Sequence, residues 1–399
     1  MPVFDDLKER ICSEIENIRP NAIEIADYIF DNPELGGKEF KALKILTREL
    51  ESNGFLVEIG SGKLNTAFKA TFNFSKPGPV IAFIAEYDAL PGIGHACHHH
   101  LIASASVNTA ISLSRLKEDL CGSIVVVGTP AEEIMDAKKI MEKNGVFNGI
   151  DAALMFHGGS RNSTNLIVLA IECLEFKYKG KAAHAAAAPD EGINALDAVI
   201  MLFNSINALR QQFCDDVRIH GIINNGGNAV NIIPENASAR FYIRSKNRKY
   251  LEEVIKKVKN CARGAALQTG AKLKISKFEA SGNNLLRNLN LCMEFEKNLI
   301  NLGVEIDNEI FLFGSSDIGN LSFILPVLHP IVRTSEPGIA LHTIEFRDCG
   351  KDEIAYNGMI LGMKATALTA IRILLDNCYL KSIKKEFDES KKKDLDKLN

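Results

Sequence analysis

Apolar residues recur at helical spacing from the start of the chain. Leu7, Ile11, Ile15 and Ile18 share one face of a 3.6-residue repeat, so the chain opens with an amphipathic helix. Asn32-Pro33-Glu34-Leu35-Gly36-Gly37 breaks the pattern. A second helix then carries Phe40, Leu43, Leu46 and Leu50 and stops near Asn53-Gly54. From residue 80 the period changes. Residues 80–84 are a continuous apolar run, the mark of a strand buried on both faces, and 123–128 and 152–156 repeat it. Between the first two, residues 101–116 are small and apolar and predict a buried helix. Strands alternating with helices predict an α/β fold built on a mostly parallel sheet with helices on both faces.

Near residue 171 the pattern shifts again. Strands are expected at 173–179, 217–224, 237–245 and 272–278, and helices at 194–213 and 251–267. The first of these helices shows Leu196, Val199, Ile200, Phe203, Ile206 and Leu209 as its apolar stripe. The order strand–helix–strand, strand–helix–strand is the ferredoxin-like (βαβ-βαβ) plan, a small sheet backed by two helices. Ser281-Gly282-Asn283-Asn284 suits an exit linker. The expected organisation is therefore an α/β domain from residues 1–171 and 284–399, with an inserted domain at 172–283. A closing helix is expected at 357–375, and 381–399 is a mixed-charge run that reads as a solvated helix or frayed tail.

The 399-residue length suits two to three domains. With 24% charged residues and a formal charge of −3, nothing points to a nucleic-acid partner. The nine cysteines are scattered and odd in number, with no disulfide framework in view, which favours a reducing, cytoplasmic setting. The N-terminus lacks a signal-peptide pattern, and no apolar run approaches the ~20 residues of a membrane helix, so no membrane association is expected.

One stretch changes this bland picture. Residues 85–100 deliver an acid, a turn, the Cys97 thiol and four of the chain's nine histidines. Imidazoles crowded beside a thiol read first as a metal site. A Cys–His nucleophile pair is the rival chemistry, and a surface histidine cluster the plain alternative. Glu132-Glu133 follow the second apolar strand and His157 follows the third. Two adjacent carboxylates on a turn point apart, so one can bind a metal while the other faces a substrate water; alone they would read as solvated acids opening a helix. Each of these residues lies beyond the C-terminal end of a strand, where open α/β sheets place their sites. His157 and His342, each in isolation, read as packed or capping residues.

Taken in order, several segments resemble one family. They are Asn32-Pro33-Glu34-Leu35, Ala85-Glu86-Tyr87-Asp88-Ala89-Leu90-Pro91, Gly94-His95-Ala96-Cys97 and Gly128-Thr129-Pro130-Ala131-Glu132-Glu133. They continue through Lys181-Ala182-Ala183-His184, Asn231-Ile232-Ile233-Pro234-Glu235, Gly314-Ser315-Ser316-Asp317-Ile318-Gly319-Asn320 and His342-Thr343-Ile344-Glu345-Phe346. The ordered set resembles M20-type metallopeptidases and amidohydrolases, in the branch of amino-acid-conjugate amidohydrolases, aminobenzoyl-glutamate hydrolases and M20-domain dipeptidases. The resemblance implies a catalytic α/β domain with an inserted dimerisation lid, a homodimer, and hydrolysis of the amide bond of dipeptides or N-acyl amino acids. It implies two divalent metal ions, Zn²⁺ or Mn²⁺, held by Cys97, His99, Glu133, His157 and His342, with Cys97 as the bridge. It makes Glu132 the general base and Asp88 an acid that orients a ligand. On the lid it makes His184 an oxyanion stabiliser reaching the partner's site, and Arg244 and Asn231 substrate-binding residues.

The chain departs from the family at one place. The family reads Cys-Gly-His followed by Asn or Asp, and here the run is Cys97-His98-His99-His100. His98 at a glycine position is expected to strain the loop if φ is positive there. His98 and His100 also offer rival ligands, which keeps open an alternative: a binding or regulatory protein on the same scaffold, its site altered.

Overall fold

The computed structural model describes residues 2–134 and 137–396. They fall into two compact units, Met1–Ile167 with Leu285–Lys393, and Val168–Asn284 with the final residues from Asp394.

The first unit is built on a six-stranded sheet. In spatial order its strands are Leu56–Ile59, Phe68–Asn73, Ser123–Gly128, Val80–Ala85, Ala152–Leu154 and Val327–Leu328. The last four run parallel; the first two join by antiparallel pairing. Neither is in the pattern reading: Leu56 and Ile59 face outward at the sheet edge, and in Phe68–Asn73 only Phe68 and Ala70 are buried. Register decides where the site forms. Ala85 pairs with Gly128, so those two strands end level, and Leu154 pairs with Phe83, so the third ends two residues earlier. The segments that follow them, from Glu86, Thr129 and Met155, therefore leave the sheet at one edge, as expected for an open α/β sheet.

Helix Pro2–Asp31 buries Leu7, Ile11, Ile15 and Ile18, and helix Phe40–Ser52 buries Leu43, Leu46 and Leu50 while Phe40 stays exposed. Helix His99–Ser114 is buried on every side. It has no amphipathic stripe because it has no solvent face. Its polar residues return their hydrogen bonds to main chain: Ser104 Oγ donates to the Ala22 carbonyl, Ser106 Oγ to Ile84 and Ser112 Oγ to Asn108. Helix Glu353–Leu375 packs against it. At 23 residues it is long and apolar enough to cross a membrane by length and composition, which corrects the expectation that no run comes near that length. It lies instead in the core, with Met359, Met363, Ala367 and Ile371 buried. The charged tail forms helix Asn377–Asp396; the last three residues of the chain lie outside the described ones.

The second unit is a four-stranded antiparallel sheet in the order Lys272–Lys277, Ala170–Lys179, Asn236–Ser245, Arg218–Asn225. Helices Ala195–Leu209 and Arg248–Thr269 pack on one another and on the sheet, giving the ferredoxin-like plan. The first helix is rotated from its expected stripe. Ala195, Ala198, Val199, Leu202 and Ile206 are buried while Ile200 is exposed, because close packing of the two helices takes the small alanines inward.

Candidate metal centre

Each predicted residue of the first unit arrives from its own strand end or loop. Asp88 follows strand Val80–Ala85 and is fully buried. Its Oδ1 and its carbonyl accept from His99 Nδ1 at 3.2 and 3.0 Å, and its Oδ2 accepts from the Glu133 N–H at 3.0 Å. One carboxylate thus orients two of the predicted ligands. With Nδ1 of His99 engaged by Asp88, Nε2 is the ring atom left for a ligand; it is buried and has no hydrogen-bond partner. His157 Nδ1 donates to the Gly158 carbonyl at 2.7 Å, which turns its Nε2 toward Cys97 Sγ at 3.4 Å. His342 Nε2 stands 3.4 Å from Glu133 Oε1. Second partners that fix the ring tautomer are what ligating histidines require.

The potential ligand atoms fall into overlapping sets, each within 4.8 Å: Cys97, His99 and His157; Cys97, Glu133 and His342; His99, Glu132 and Glu133. The thiol of Cys97 belongs to the first two. Residues far apart in sequence therefore converge, and the sulfur stands between two groups.

The electrostatics ask for positive charge at the centre. Burial, then Glu133, holds the Cys97 thiol well above its usual range, so it is a poor thiolate without a cation beside it. Burial, then Glu133, Glu86 and Asp317, raises the Glu132 carboxyl well above the ordinary range. Burial opposes a proton on His99, but Cys97 and Asp88 outweigh it and hold the ring's pKa high. Burial and then His99 push His157 down to about 4. Nε2 of His99 and Oε1 of Glu133 are buried without a hydrogen bond, a need that a cation between them would meet.

His98 and His100 do not join the cluster. His98 has φ 58° and ψ 27°, the left-handed conformation expected to be strained for a residue with a Cβ. Both its nitrogens are engaged, Nδ1 with Thr334 Oγ1 at 3.0 Å and Nε2 with the Phe346 carbonyl at 2.6 Å. His100 Nε2 donates to the Gly350 carbonyl at 2.9 Å. Neither appears among the described groups able to hold a metal. The sequence offers four imidazoles within six residues, and it is backbone direction at the start of the helix that selects His99.

Four further residues complete the surroundings. Lys138, fully buried, sits between Glu86 Oε1 at 2.5 Å and the carboxylate of Asp317. Glu86 Oε2 in turn lies 3.6 Å from His99 Nε2, and Glu86, Glu132 and Asp317 bring oxygens within 4.8 Å of one another. His329 is buried beside His157, their ring centroids 5.8 Å apart. Glu86 and Asp317 stand inside motifs already singled out. Lys138 gives no signal, since a lysine shortly after two glutamates reads as solvated.

Buried neutral rings tie stability to pH. Burial, the leading cause in each, pushes His95 down to about 4 and His98 and His329 to about 3. In the unfolded chain each titrates near 6.5. Below that value the unfolded state binds the extra protons, so the contribution of these rings to stability is complete above about pH 6.5 and falls as pH drops toward 4. We expect a loss of order 1 kcal/mol per ring for each pH unit in that window. Denaturant midpoints of the chelated protein from pH 7.5 to 4.5 check this; a flat profile would refute it.

In the second unit, His184 is exposed on a loop that bridges to Ile232. Its Nδ1 accepts from the N–H groups of Ala186 and Ala187 at 3.2 and 3.1 Å. The proton then resides on Nε2, leaving a donor directed away from its own loop. The Asn231 carbonyl accepts from the Ala185 N–H at 3.0 Å, so the two loops are laced together. Arg244 is half-buried on strand Asn236–Ser245, its guanidinium 5.4 Å from the Tyr242 ring centroid.

Residues 173–269 match the family model of the M20 peptidase dimerisation domain. The chain is 35% identical over 398 residues to a Xaa-Arg dipeptidase of Mus musculus, covering 96% of this chain and 92% of that protein. It is 33% identical over 402 residues to the Xaa-Arg dipeptidase of Homo sapiens, again covering 96% and 92%. Among solved structures it shares its fold with an aminobenzoyl-glutamate utilization protein from Klebsiella pneumoniae, TM-score 0.74 at 17% identity, covering 92% of this chain and 100% of that one. A dinuclear metal-binding peptidase of the M20 family from Bacillus subtilis superposes with TM-score 0.70 at 20% identity over 90% of this chain and 99% of that one. On this extent of likeness, the chain belongs to the M20 family of amidohydrolases.

Proposed function

We propose that the protein is a metal-dependent amidohydrolase cleaving the amide bond of dipeptides or N-acyl amino acids. The observation that carries this reading is the Cys97 thiol shared by two sets of ligand-type atoms. Cys97, His99, Glu133, His157 and His342 would hold two divalent ions, and the thiolate with three imidazoles suits Zn²⁺, with Mn²⁺ the second choice. Bound there, the ions would supply Lewis acidity and bring the pKa of water down toward ~7 from about 15.7. Glu132 takes a proton from the attacking water and returns it to the departing amine nitrogen. Asp88 holds His99 and the Glu133 main chain in register while this happens.

Residues 1–171 with 284–399 form the catalytic domain in this reading, and 172–283 the lid. His184, with its proton on Nε2, donates to the tetrahedral oxyanion in the partner's site. Arg244 grips the substrate carboxylate with its planar fork, and Asn231 lies on the loop beside His184. A homodimer is supported by the match to a dimerisation domain and by strand Arg218–Asn225, an edge strand that leaves Ile222 and Ile223 exposed. The rival reading, an altered binding protein, rested on His98 and His100 as competing ligands, and both side chains are committed elsewhere.

One experiment tests the reading: elemental analysis and solution mass of the purified protein, with a hydrolysis screen over Xaa-Arg and other dipeptides, N-acyl amino acids and aminobenzoyl-glutamate. Two equivalents of metal per chain, a dimer and turnover of at least one class are expected. Metal-replete protein inert across the screen would overturn it.

A further inference from the structure

We infer that His98 and His100, the two histidines that replace the family's usual residues, are positioning residues that rivet the His342 segment to the Cys97–His99 turn. The inference rests on the reading of His342 as a metal ligand.

His342 needs such help. It lies on a loop, is half exposed, and has φ 64°, a backbone conformation that does not hold itself. Three hydrogen bonds run from residues 96–100 to its segment at four-residue intervals. The Ala96 carbonyl accepts from the His342 N–H at 2.9 Å. His98 Nε2–H donates to the Phe346 carbonyl at 2.6 Å, and His100 Nε2–H to the Gly350 carbonyl at 2.9 Å. The first is main chain to main chain and needs no particular side chain. The other two are made by the side chains of residues 98 and 100.

The packing is equally specific. The His98 ring stacks on Phe346 with centroids 3.9 Å apart and 23° between planes, while its Nδ1 accepts from the Thr334 hydroxyl. One neutral tautomer satisfies both of its nitrogens. His100 is closed in by Phe30, edge to face at 4.9 Å, and by Gly350, where an added Cβ would come within 2.9 Å of His100 Cε1. Glycine at 350 is thus the counterpart of histidine at 100. Both rings are wholly buried, so these bonds are shielded from water.

The chain accepts a left-handed non-glycine residue at 98, one residue from the ligand His99, and the fastening of the opposite ligand is what that conformation makes possible. His98 and His100 stand outside the described groups of ligand-type atoms. They act through His342.

The test uses the full-length protein with H98G, which returns the family's glycine and relieves the left-handed strain, H100A, which removes the second donor, and the double variant. Hydrogen exchange of the metal-free proteins is read at residues 342–350, and metal affinity by chelator competition. In the double variant we expect protection of 342–350 to fall about tenfold or more with the six-stranded sheet unchanged. We expect affinity for one metal equivalent to drop about 10- to 100-fold, the scale for losing a ligand's supporting partner, and kcat to fall with KM held. H98N, which keeps a side-chain donor able to reach a carbonyl, should recover part of the protection lost in H98G. Unchanged exchange at 342–350 would overturn the rivet. Faster exchange with both metal affinities and kcat intact would overturn the positioning role. Wild-type protein that binds no metal would instead bring down the reading beneath it.

Discussion

Glu132→Gln will keep its metal and lose turnover by about 10²- to 10⁴-fold, the range for removal of a general base. The amide is isosteric with the carboxyl but cannot take a proton from water. Glu132 shares its turn with Glu133, yet the two carboxylates also serve different sets: Glu133 stands with Cys97 and His342, and Glu132 with Glu86 and Asp317. That division is why the neighbouring substitutions should separate. Glu133→Gln removes a charged ligand and should cost metal, whereas Glu132→Gln leaves the set of Cys97, His99 and His157 untouched. KM should change little in Glu132→Gln, because the lost interaction belongs to the transition state. Single-turnover rates with metal content measured on the same sample check this, and near-normal turnover with full metal would remove Glu132 from the role of base.

The readability of this chain follows from where its chemistry sits. The apolar runs before Glu86, Thr129 and Met155 are buried strands because both faces are covered, and such runs need no periodicity to be seen. With the strands placed, the acids and histidines beyond their ends fall at one sheet edge. Strands Leu56–Ile59 and Phe68–Asn73 escape notice because one alternates weakly and both stand at the sheet's antiparallel side. The choice among His95, His98, His99 and His100 is legible only through family likeness. Their side-chain directions depend on a φ of 58° at residue 98, and residue type alone suggests glycine rather than histidine there. Lys138 is invisible for a different reason. Its partners, Glu86 and Asp317, are 52 and 179 residues away, and no local pattern marks a lysine as buried.

Lys138→Met will destabilise the first unit by about 3–5 kcal/mol, the cost of stripping one partner from a buried ionic group. Lys138 is fully buried between Glu86 and Asp317, and its main-chain N–H also donates to Asp317 Oδ2 at 3.2 Å. Burial works against charge on Glu86, but Lys138, with His99 and His157, overcomes it and holds that carboxyl down to about 2. Burial dominates at Asp317 and pushes it up to about 7, Lys138 offsetting only part. A single ammonium is therefore shared among crowded carboxylates that include Glu132, and methionine would leave them facing each other in a low dielectric. A loss of about 3–5 kcal/mol is large against the roughly 5–15 kcal/mol that holds a domain together. The size of the effect has a clean control. Adding Glu86→Gln and Asp317→Asn to Lys138→Met removes the stranded charges and should restore most of the stability, because replacing a whole buried ionic group is far milder than breaking it. Denaturant midpoints of the single and triple variants, measured on chelated protein at pH 7.5, separate the two accounts. A triple variant as unstable as Lys138→Met would mean that the lysine's aliphatic stem and packing, not its charge, hold this part of the fold.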